Sequence, residues 1–127
     1  DREVMADIIF HDPIKRKRVD ELTHPLVWKA AMKEAMEARE GRVVIEAAIP
    51  SKDFRDKCSK MWYVYTSREN RLERLKANRG YTREKTLSIM DNQVSDEVFR
   101  SFCDSVIDNN KSLEETKKQI AALMQHI

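Results

Sequence analysis

Glycine is scarce in this 127-residue chain, which contains only Gly41 and Gly80. A glycine-rich phosphate-binding loop needs several glycines within a few residues, because its backbone must approach the phosphates closely. No short window of this sequence contains two glycines. The 127 residues therefore contain no glycine-rich phosphate cradle.

Cysteines and long apolar runs are also few. Cys58 and Cys103 lie far apart in a polar, helix-prone chain that does not resemble a disulfide-rich secreted domain. We interpret them as reduced thiols and expect a cytoplasmic protein. The longest apolar tract, 43–49, is interrupted by Glu46 and is far shorter than the roughly 20 residues of a membrane-spanning helix. These residues carry no signal-peptide pattern ahead of it. We expect no membrane partner.

Neither sign of charge dominates, since 24 Lys and Arg residues stand against 22 Asp and Glu residues, for a net charge of +2. This balance gives no electrostatic reason to expect a nucleic-acid partner. The length suits one modest domain or a piece of a larger one. Because the chain begins at Asp1 instead of Met, within sequence of helical spacing, we expect an upstream segment to be missing.

The first forty residues have the periodicity of helices. Residues 2–10 carry apolar side chains at helical spacing, and Asp12 then supplies the N-cap of a second helix. Pro25 predicts that this helix ends or kinks near His24, because a proline inside a helix removes a hydrogen bond and clashes one turn back. A further helix is expected over 25–40.

The period changes after this helical part. Residues 42–49 are β-branched and almost continuously apolar, which is typical of a strand buried on both faces. Residues 60–66 form a second such run, and the polar connection between the two predicts a helical turn after Ser51. A brief third strand is expected over 104–108, followed by a turn at Asn109.

Four helices are predicted in the second half of the chain, and each begins after a hydroxyl N-cap. The caps are Ser67, Thr82, Ser95 and Ser112. The last of these is followed by Glu115, which completes the pattern of a capping box. Helices thus alternate with short buried strands, and the predicted fold class is α/β with parallel strands flanked by helices.

Four local strings occur in a distinctive order and spacing. They are the string with His24-Pro25 at 20–27, the arginine-rich 71–75 with 79–82, Gln93, and Val-Ile-Asp-Asn at 106–109. Together they resemble the dephospho-coenzyme A kinase family, and the resemblance covers the whole chain. No string is specific by itself, but four in this order are hard to obtain by accident.

The resemblance implies a partial P-loop kinase fold and an enzyme that transfers the γ-phosphate of ATP to the ribose 3′-hydroxyl of dephospho-coenzyme A, the last step of coenzyme A synthesis. It implies a helical substrate domain at 1–40, a nucleotide-binding core at 41–66 and 104–127, and a lid with flanking helices at 67–103. No spacing of His, Cys, Asp and Glu suggests a protein-held metal, so Mg²⁺ would arrive with ATP.

Several features of the family have no counterpart in these residues. Family members begin with a strand, a Gly-x-x-x-x-Gly-Lys-Ser/Thr loop and a helix, followed by a catalytic acid. The loop holds the β- and γ-phosphates and Mg²⁺, and the acid activates the attacking hydroxyl. Lys52 stands where relatives carry another acid. We therefore expect this polypeptide alone to be catalytically dead, the larger and later part of an active enzyme, and prone to self-association through exposed strand edges.

Five residues form the site that the resemblance implies. Arg74 and Arg79 would lie in the lid, where cations offset the charge of the transferring phosphate. Common relatives have the second of these arginines one position earlier. Asn109 falls where relatives border the adenine. His24 and Glu46 would bind the substrate, the latter where many relatives carry an aspartate near the carboxyl end of a strand.

Arg74, Arg79 and His24 also have a structural interpretation. The arginines of 68–74 alternate with two glutamates, as ordinary surface ion pairs would. A histidine before a proline, such as His24, is more often a helix cap or kink element. Glu46 is unusual in an apolar strand, because a buried carboxylate is costly unless it is paired or placed at the mouth of a site.

Two other functions remain open at this point. A non-catalytic module could keep a surface for a coenzyme A-like ligand or for another protein, and a start codon immediately before Asp1 would favour it. Another phosphotransferase, similar to nucleoside monophosphate kinases, would require the His-Pro and Val-Ile-Asp-Asn strings to be coincidental. A coding sequence that continues upstream into a glycine-rich loop would favour the dephospho-coenzyme A kinase.

Overall fold

A computed structural model describes residues 1–39, 41–48 and 52–127, and of Lys52 and Asp53 it describes the backbone alone. The described chain forms two compact units, Asp1–Ala47 and Ala48–Ile127. Each unit is presented by itself below. None of the helices within the described ranges is both long enough and apolar enough to span a membrane.

The first unit contains two helices, α1 (Arg2–His11) and α2 (Pro13–Glu37). Asp12 separates them: its backbone N–H donates to Ile8 O at the end of α1, and its side chain caps α2. Asp12 Oδ1 accepts from the N–H groups of Ile14 and Lys15, both at 3.0 Å. These bonds, first that from Lys15, hold the pKa of Asp12 below its usual range. The predicted N-cap is confirmed.

Helix α2 continues through Pro25, so of the two predicted alternatives a helix end near His24 is wrong, and a kink there stays a prediction. A proline inside a helix costs about 3 kcal/mol or more, and the good helix formers that follow it, among them Ala30, Ala31 and Met32, favour continuation of the helix. Two residues before the proline, Thr23 Oγ1 donates to Val19 O at 2.8 Å. The carbonyl that loses its N–H donor to the proline is that of Glu21. The helix ends at Glu37, before the predicted end at Glu40, which lies outside the described residues.

The helices of the first unit bury no residue among those described. Large apolar side chains such as Ile14 and Met36 remain 83% and 82% exposed. Every ion pair described in these helices joins residues three or four positions apart. The described ion pairs of this unit are therefore all local.

Residues 42–48 form no strand, so the predicted strand over 42–49 is wrong within the described residues. Val44 is 88% exposed, Glu46 is exposed, and Ile45 is half-buried. An apolar β-branched run becomes a strand only where a neighbouring strand satisfies its backbone groups. The described residues form one sheet of two strands, and 42–48 do not belong to it. The last residue of the predicted strand, Ile49, lies outside the described residues.

The second unit alternates helices with two short strands. In chain order these are α3 (Lys52–Arg55), β1 (Trp62–Tyr65), α4 (Arg68–Arg79), α5 (Arg83–Asp91), α6 (Asp96–Phe102), β2 (Ser105–Asp108) and α7 (Leu113–Met124). The predicted caps of α4 to α7 are confirmed, because each hydroxyl accepts from the N–H three residues later. Gly80 ends α4 with a φ of 63°, in the left-handed region that favours glycine.

Strands β1 and β2 pair in parallel, with Trp62 opposite Ser105 and Tyr65 opposite Asp108. Helices α4, α5 and α6 form the crossover between them, as a parallel connection requires. The predicted fold class, α/β with parallel strands flanked by helices, is confirmed. Since the strands are parallel, their carboxyl ends lie at the same edge of the sheet.

The buried residues of the second unit lie in β2 and in the helices α3, α4, α5 and α7. Ile107 is 1% exposed, and Phe54 and Leu72 are also buried. Two threonines, Thr86 of α5 and Thr116 of α7, are buried with them. Helix α7 packs on β2 and α6 packs on β1, so both strands are covered by helices.

Candidate functional site

The loop after β2 lies at the carboxyl edge of the sheet, where open α/β sheets bind ligands. Two hydrogen bonds hold its first residue, Asn109, in place. Its backbone N–H donates to Tyr65 O at 2.8 Å, and its side-chain Oδ1 accepts from Thr116 Oγ1 at 3.0 Å. The Asn109 amide nitrogen, Nδ2, has no hydrogen-bond partner within the described ranges. It is the group of this side chain that is left for a ligand.

Two hydrogen bonds connect the end of β2 to helix α7. Asp108 N–H donates to Gln119 Oε1 at 2.8 Å, and Gln119 Nε2 donates back to Asp108 O at 2.9 Å. The Asp108 carboxylate accepts from Asn110 N–H at 2.9 Å and from Asn110 Nδ2 at 2.6 Å. These bonds, first that of the backbone N–H, hold the pKa of Asp108 below its usual range. The loop is therefore rigidly placed relative to the sheet and α7.

Asn110 joins this loop to the start of helix α4. Its Oδ1 accepts from Ser67 N–H at 2.7 Å and from Asn70 Nδ2 at 2.9 Å. Ser67 is itself the N-cap of α4. The sequence predicts only a turn after β2, so this function of Asn110 was not predicted. The sequence signal for this contact was the asparagine pair directly after a buried strand. An amide side chain can donate and accept hydrogen bonds at the same time, so it can connect two segments.

Helices α4 and α5 form a hairpin that carries the two arginines assigned to the lid. Arg74 is half-buried and Arg79 is exposed. Neither has a carboxylate within 4.0 Å in the part of the chain that the structure describes. Their cationic groups are thus available to an anion. Whether they act on a phosphate stays a prediction.

The other arginines of α4 pair across the fold. Arg68 Nη2 lies 3.0 Å from Asp91 Oδ1 at the end of α5, and Arg71 Nη2 lies 3.8 Å from Asp96 Oδ1 in α6. The surface pairs with the neighbouring glutamates, which the alternating charges suggested, are not formed among the described residues. The arginines of this helix are therefore divided between structural pairs and unpaired cations.

The aromatic residues of β1 are used for packing. Tyr63 stacks on Phe99 with ring centroids 4.8 Å apart, and the Arg100 guanidinium lies 5.0 Å from the Tyr65 ring. The Tyr63 hydroxyl donates to Asp96 Oδ1 at 2.6 Å. Burial, and then this hydrogen bond, raise the pKa of Tyr63 to about 12.

The two predicted substrate residues, His24 and Glu46, belong to the first unit. His24 lies inside α2 with its Nε2 3.5 Å from Asp20 Oδ1, and both side chains are about half exposed. Glu46 is exposed and lies in no strand, so the argument from a buried carboxylate no longer supports it. A role for either residue in binding substrate stays a prediction.

The cysteines are not candidates for a reactive nucleophile. Both are free and half-buried, and burial raises the pKa of Cys58 and of Cys103. Within the described residues, no group of three His, Cys, Asp or Glu side chains is placed to hold a metal ion.

Comparisons with known proteins point to one family. The family model described as dephospho-CoA kinase matches residues 1–115. The dephospho-CoA kinase of Listeria innocua is 31% identical over 128 residues, which are 98% of this chain and 64% of that protein. The corresponding enzyme of Listeria monocytogenes serotype 4b is 33% identical, with the same coverage. That of Geobacter metallireducens is 30% identical over 97% of this chain and 63% of its own length.

A solved structure has the same fold. The crystal structure of TT1252 from Thermus thermophilus matches with a TM-score of 0.80 and 27% identity, over 100% of this chain and 67% of that one. The chain spans about 64% of the length of the curated relatives it matches.

Proposed function

The chain belongs to the dephospho-CoA kinase family, and from this premise we propose that it forms the larger part of a kinase that uses ATP to phosphorylate the ribose 3′-hydroxyl of dephospho-coenzyme A. The observation that carries the proposal is a contact between two parts of the second unit, made by the hydrogen bonds of Asn110 with Ser67 and Asn70. We call this contact the joint. There the loop at the carboxyl edge of the sheet is bonded to the start of a hairpin with two unpaired arginines.

Asn109 is the residue that we assign to the adenine of ATP. Its backbone and its Oδ1 are already engaged, so Nδ2 is the atom that would meet the base. An amide N–H is a donor, and the ring nitrogens of adenine are acceptors. The rigid loop would thus hold the base without a conformational change of its own.

Arg74 and Arg79 are the residues that we assign to the phosphates. During transfer, negative charge is spread over the oxygens of the γ-phosphoryl group, and fixed cations stabilise it. Arg79 has a long, forked guanidinium that can bind two phosphate oxygens, which compensates for its displaced position in the lid. Because neither arginine is neutralised by a carboxylate within the described ranges, both keep their full charge for this task.

The regions expected from the resemblance are part of the proposal. Residues 1–40 would form the substrate domain, with His24 contributing to it, and Glu46 would contact the substrate from the core. Residues 41–66 and 104–127 would form the nucleotide-binding core. The lid would be 67–103, which includes the α4–α5 hairpin. A cytoplasmic location fits the two unpaired cysteines.

Residues 1–127 lack a part that phosphate transfer requires. They contain no Gly-x-x-x-x-Gly-Lys loop, so the β- and γ-phosphates lack the amides and lysine that position them. Mg²⁺ would come with ATP and neutralise part of its charge. Activity therefore requires a segment that carries this loop, and residues 1–127 alone would not transfer phosphate.

The sheet gives a reason to expect self-association of residues 1–127. Each of its two strands is paired on one side, and Val64 of β1 is 54% exposed. Unpaired strand edges template pairing with another chain. We propose that the isolated polypeptide associates through these edges. Light scattering should give more than the mass of one chain, and a clean monomer with an intact sheet would contradict this.

One experiment separates the proposed function from its alternatives. The product of the complete open reading frame and the polypeptide 1–127 are compared in a coupled assay of ATP consumption, with dephospho-coenzyme A or a simple nucleoside monophosphate as acceptor. We expect turnover of dephospho-coenzyme A by the first protein and none by the second. Turnover by 1–127 alone would overturn the proposal. So would a complete product that prefers the simple nucleotide, or one that binds coenzyme A without phosphorylating its precursor.

A further inference from the structure

We infer that Asn110 is a positioning residue: it holds the base of the α4–α5 hairpin against the loop after β2 and thereby sets where Arg74 and Arg79 lie. The inference rests on the proposed function, because it concerns the two arginines assigned to the phosphates. It assigns a role to a residue outside the site that the family resemblance implies.

Asn110 uses both ends of its side chain in this joint. Oδ1 accepts two hydrogen bonds from the base of α4, those of Ser67 N–H and Asn70 Nδ2, at 2.7 and 2.9 Å. Nδ2 donates to the Asp108 carboxylate at 2.6 Å. The three bonds are part-buried, and the last is strengthened by the charge of the carboxylate. An aspartate at this position would place a second carboxylate against Asp108, so the joint requires an amide.

Few other polar contacts fix the hairpin. The Arg68–Asp91 pair connects the two helices of the hairpin to each other and leaves its orientation free. Outside the hairpin, the other polar contact of an α4 side chain within the described residues is the Arg71–Asp96 pair, which is long at 3.8 Å. The two bonds to Asn110 are therefore the shortest polar connections between α4 and the sheet region.

Because the joint lies at the base of α4, a small movement there changes where Arg74 and Arg79 lie. With a rise of about 1.5 Å per residue, Arg74 lies about 10 Å and Arg79 about 18 Å along α4 from Ser67. A tilt of about 3° at the base moves Arg79 by about 1 Å. Misplacement of a catalytic group by about 1 Å can cost about 100-fold in rate. Small changes at Asn110 are thus amplified at the phosphate-binding end of the hairpin.

The position of the hairpin can be measured directly in residues 1–127. Spin labels are attached to Lys76→Cys near the end of α4 and Lys117→Cys on α7, with Cys58 and Cys103 changed to serine. Both labelled residues are exposed. In the otherwise unchanged protein, diluted with an excess of unlabelled chain so that labels on associated copies do not contribute, pulsed electron paramagnetic resonance should give one narrow distance distribution. Asn110→Ala should broaden or shift it.

Two further variants make this result specific. Asn92→Ala removes a hydrogen bond of the same type, from Asn92 Nδ2 to Ser88 O at 2.8 Å within the hairpin, and should leave the distance unchanged. Asn70→Ala removes one of the two donors to Asn110 Oδ1 and should give a smaller shift of the distance. This variant replaces Asn110→Ala in the test if Asn110→Ala does not fold. An unchanged distribution in Asn110→Ala and Asn70→Ala would overturn the inference, as would an equal shift in Asn92→Ala.

The kinetic consequence is tested in the product of the complete reading frame. Asn110→Ala should lower kcat by about 10- to 100-fold, with a smaller change in the KM for dephospho-coenzyme A. A merely structural role would lower the amount of active enzyme without moving the hairpin. A shifted hairpin with unchanged kcat would overturn the inference. If the unchanged enzyme shows no kinase activity, the proposed function fails, and the distance measurement still decides whether Asn110 places the hairpin.

Discussion

The two units of the chain are built from interactions of different range. In Asp1–Ala47 the ion pairs described join residues three or four apart, and the helices bury no described residue. In Ala48–Ile127, by contrast, a side-chain bond joins Arg55 to Asp104, and the buried residues of the described chain lie there. Among the described interactions, those of the first unit are mainly helix caps and local ion pairs, whereas those of the second unit include burial and long-range hydrogen bonds.

This difference has an energetic consequence. Exposed ion pairs contribute about 0–1 kcal/mol each, whereas a buried aliphatic side chain contributes about 1.5–3 kcal/mol relative to its exposed state. Individual side chains of the first unit should therefore be replaceable one at a time with little loss. In the second unit a single buried residue should matter for the whole unit.

The largest effect is expected from one substitution made in both units. Ile107→Ala should lower the free energy of unfolding of the second unit by about 2–5 kcal/mol, because it opens a cavity where the side chain is 1% exposed. Ile14→Ala, at a position 83% exposed, should change stability by less than about 0.5 kcal/mol.

Each unit contains one tryptophan, Trp28 in the first and Trp62 in the second, so urea unfolding can be followed separately. Fluorescence of a Trp28→Phe background reports on the second unit, and that of a Trp62→Phe background on the first. Equal losses for the two isoleucine variants would show that the first unit also depends on burial.

The next effect concerns the arginines of the second unit. Under the proposed function, Arg79→Ala in the product of the complete reading frame should lower kcat for dephospho-coenzyme A by about 100-fold, since it removes a cation assigned to the transferring phosphate. Arg74→Ala should act in the same direction.

The matched control is Arg83→Ala, which removes an exposed cation from the same hairpin. Coupled measurement of ADP formation should show nearly unchanged kcat for this variant. Similar losses in Arg79→Ala and Arg83→Ala would mean that the general positive charge of the hairpin matters and that Arg79 has no specific role.

Local features of both units could be predicted from the sequence. The caps at Asp12, Ser67 and Ser112 depend on residues within three positions, and all are present in the structure. The strands around Val64 and Ile107 were also predicted, because their apolar runs are bounded by polar residues. Such signals are contained in a few adjacent residues.

Features that depend on distant partners could not be predicted. The apolar run at 42–48 has the composition of a strand but no strand beside it in the described sheet. Arg68 and Arg71 form ion pairs with aspartates more than twenty positions away and not with the neighbouring glutamates. The joint made by Asn110 spans about forty positions, and no local pattern encodes it. Three of the five predicted site residues, Arg74, Arg79 and Asn109, lie in the unit where this joint is found.

A smaller effect is expected from the two buried threonines of the second unit, which should respond to the same substitution with opposite signs. Thr116 Oγ1 donates to Asn109 Oδ1 at 3.0 Å, so Thr116→Val should destabilise the unit by about 1–2 kcal/mol. Thr86 Oγ1 is buried without a hydrogen-bond partner within the described ranges. Thr86→Val should therefore stabilise the unit by about 1 kcal/mol. Urea midpoints measure both, and destabilisation by Thr86→Val would reveal a partner for its hydroxyl.

The smallest effect is a pH dependence that belongs to the second unit alone, because the first unit contains no tyrosine. Burial and the hydrogen bond to Asp96 raise the pKa of Tyr63 to about 12, whereas tyrosine in an unfolded chain titrates near pH 10. The neutral hydroxyl therefore favours the folded state, fully below about pH 10, and this contribution is lost as the pH rises to about 12. In the Trp28→Phe background, urea midpoints followed by Trp62 fluorescence should fall over this range, and they should fall less steeply when Tyr63→Phe is added. Tyr81→Phe should keep the original slope, since the Tyr81 ring contacts Lys85 and its hydroxyl has no hydrogen-bond partner among the described residues. Equal slopes in all three proteins would mean that the Tyr63–Asp96 bond does not persist in solution.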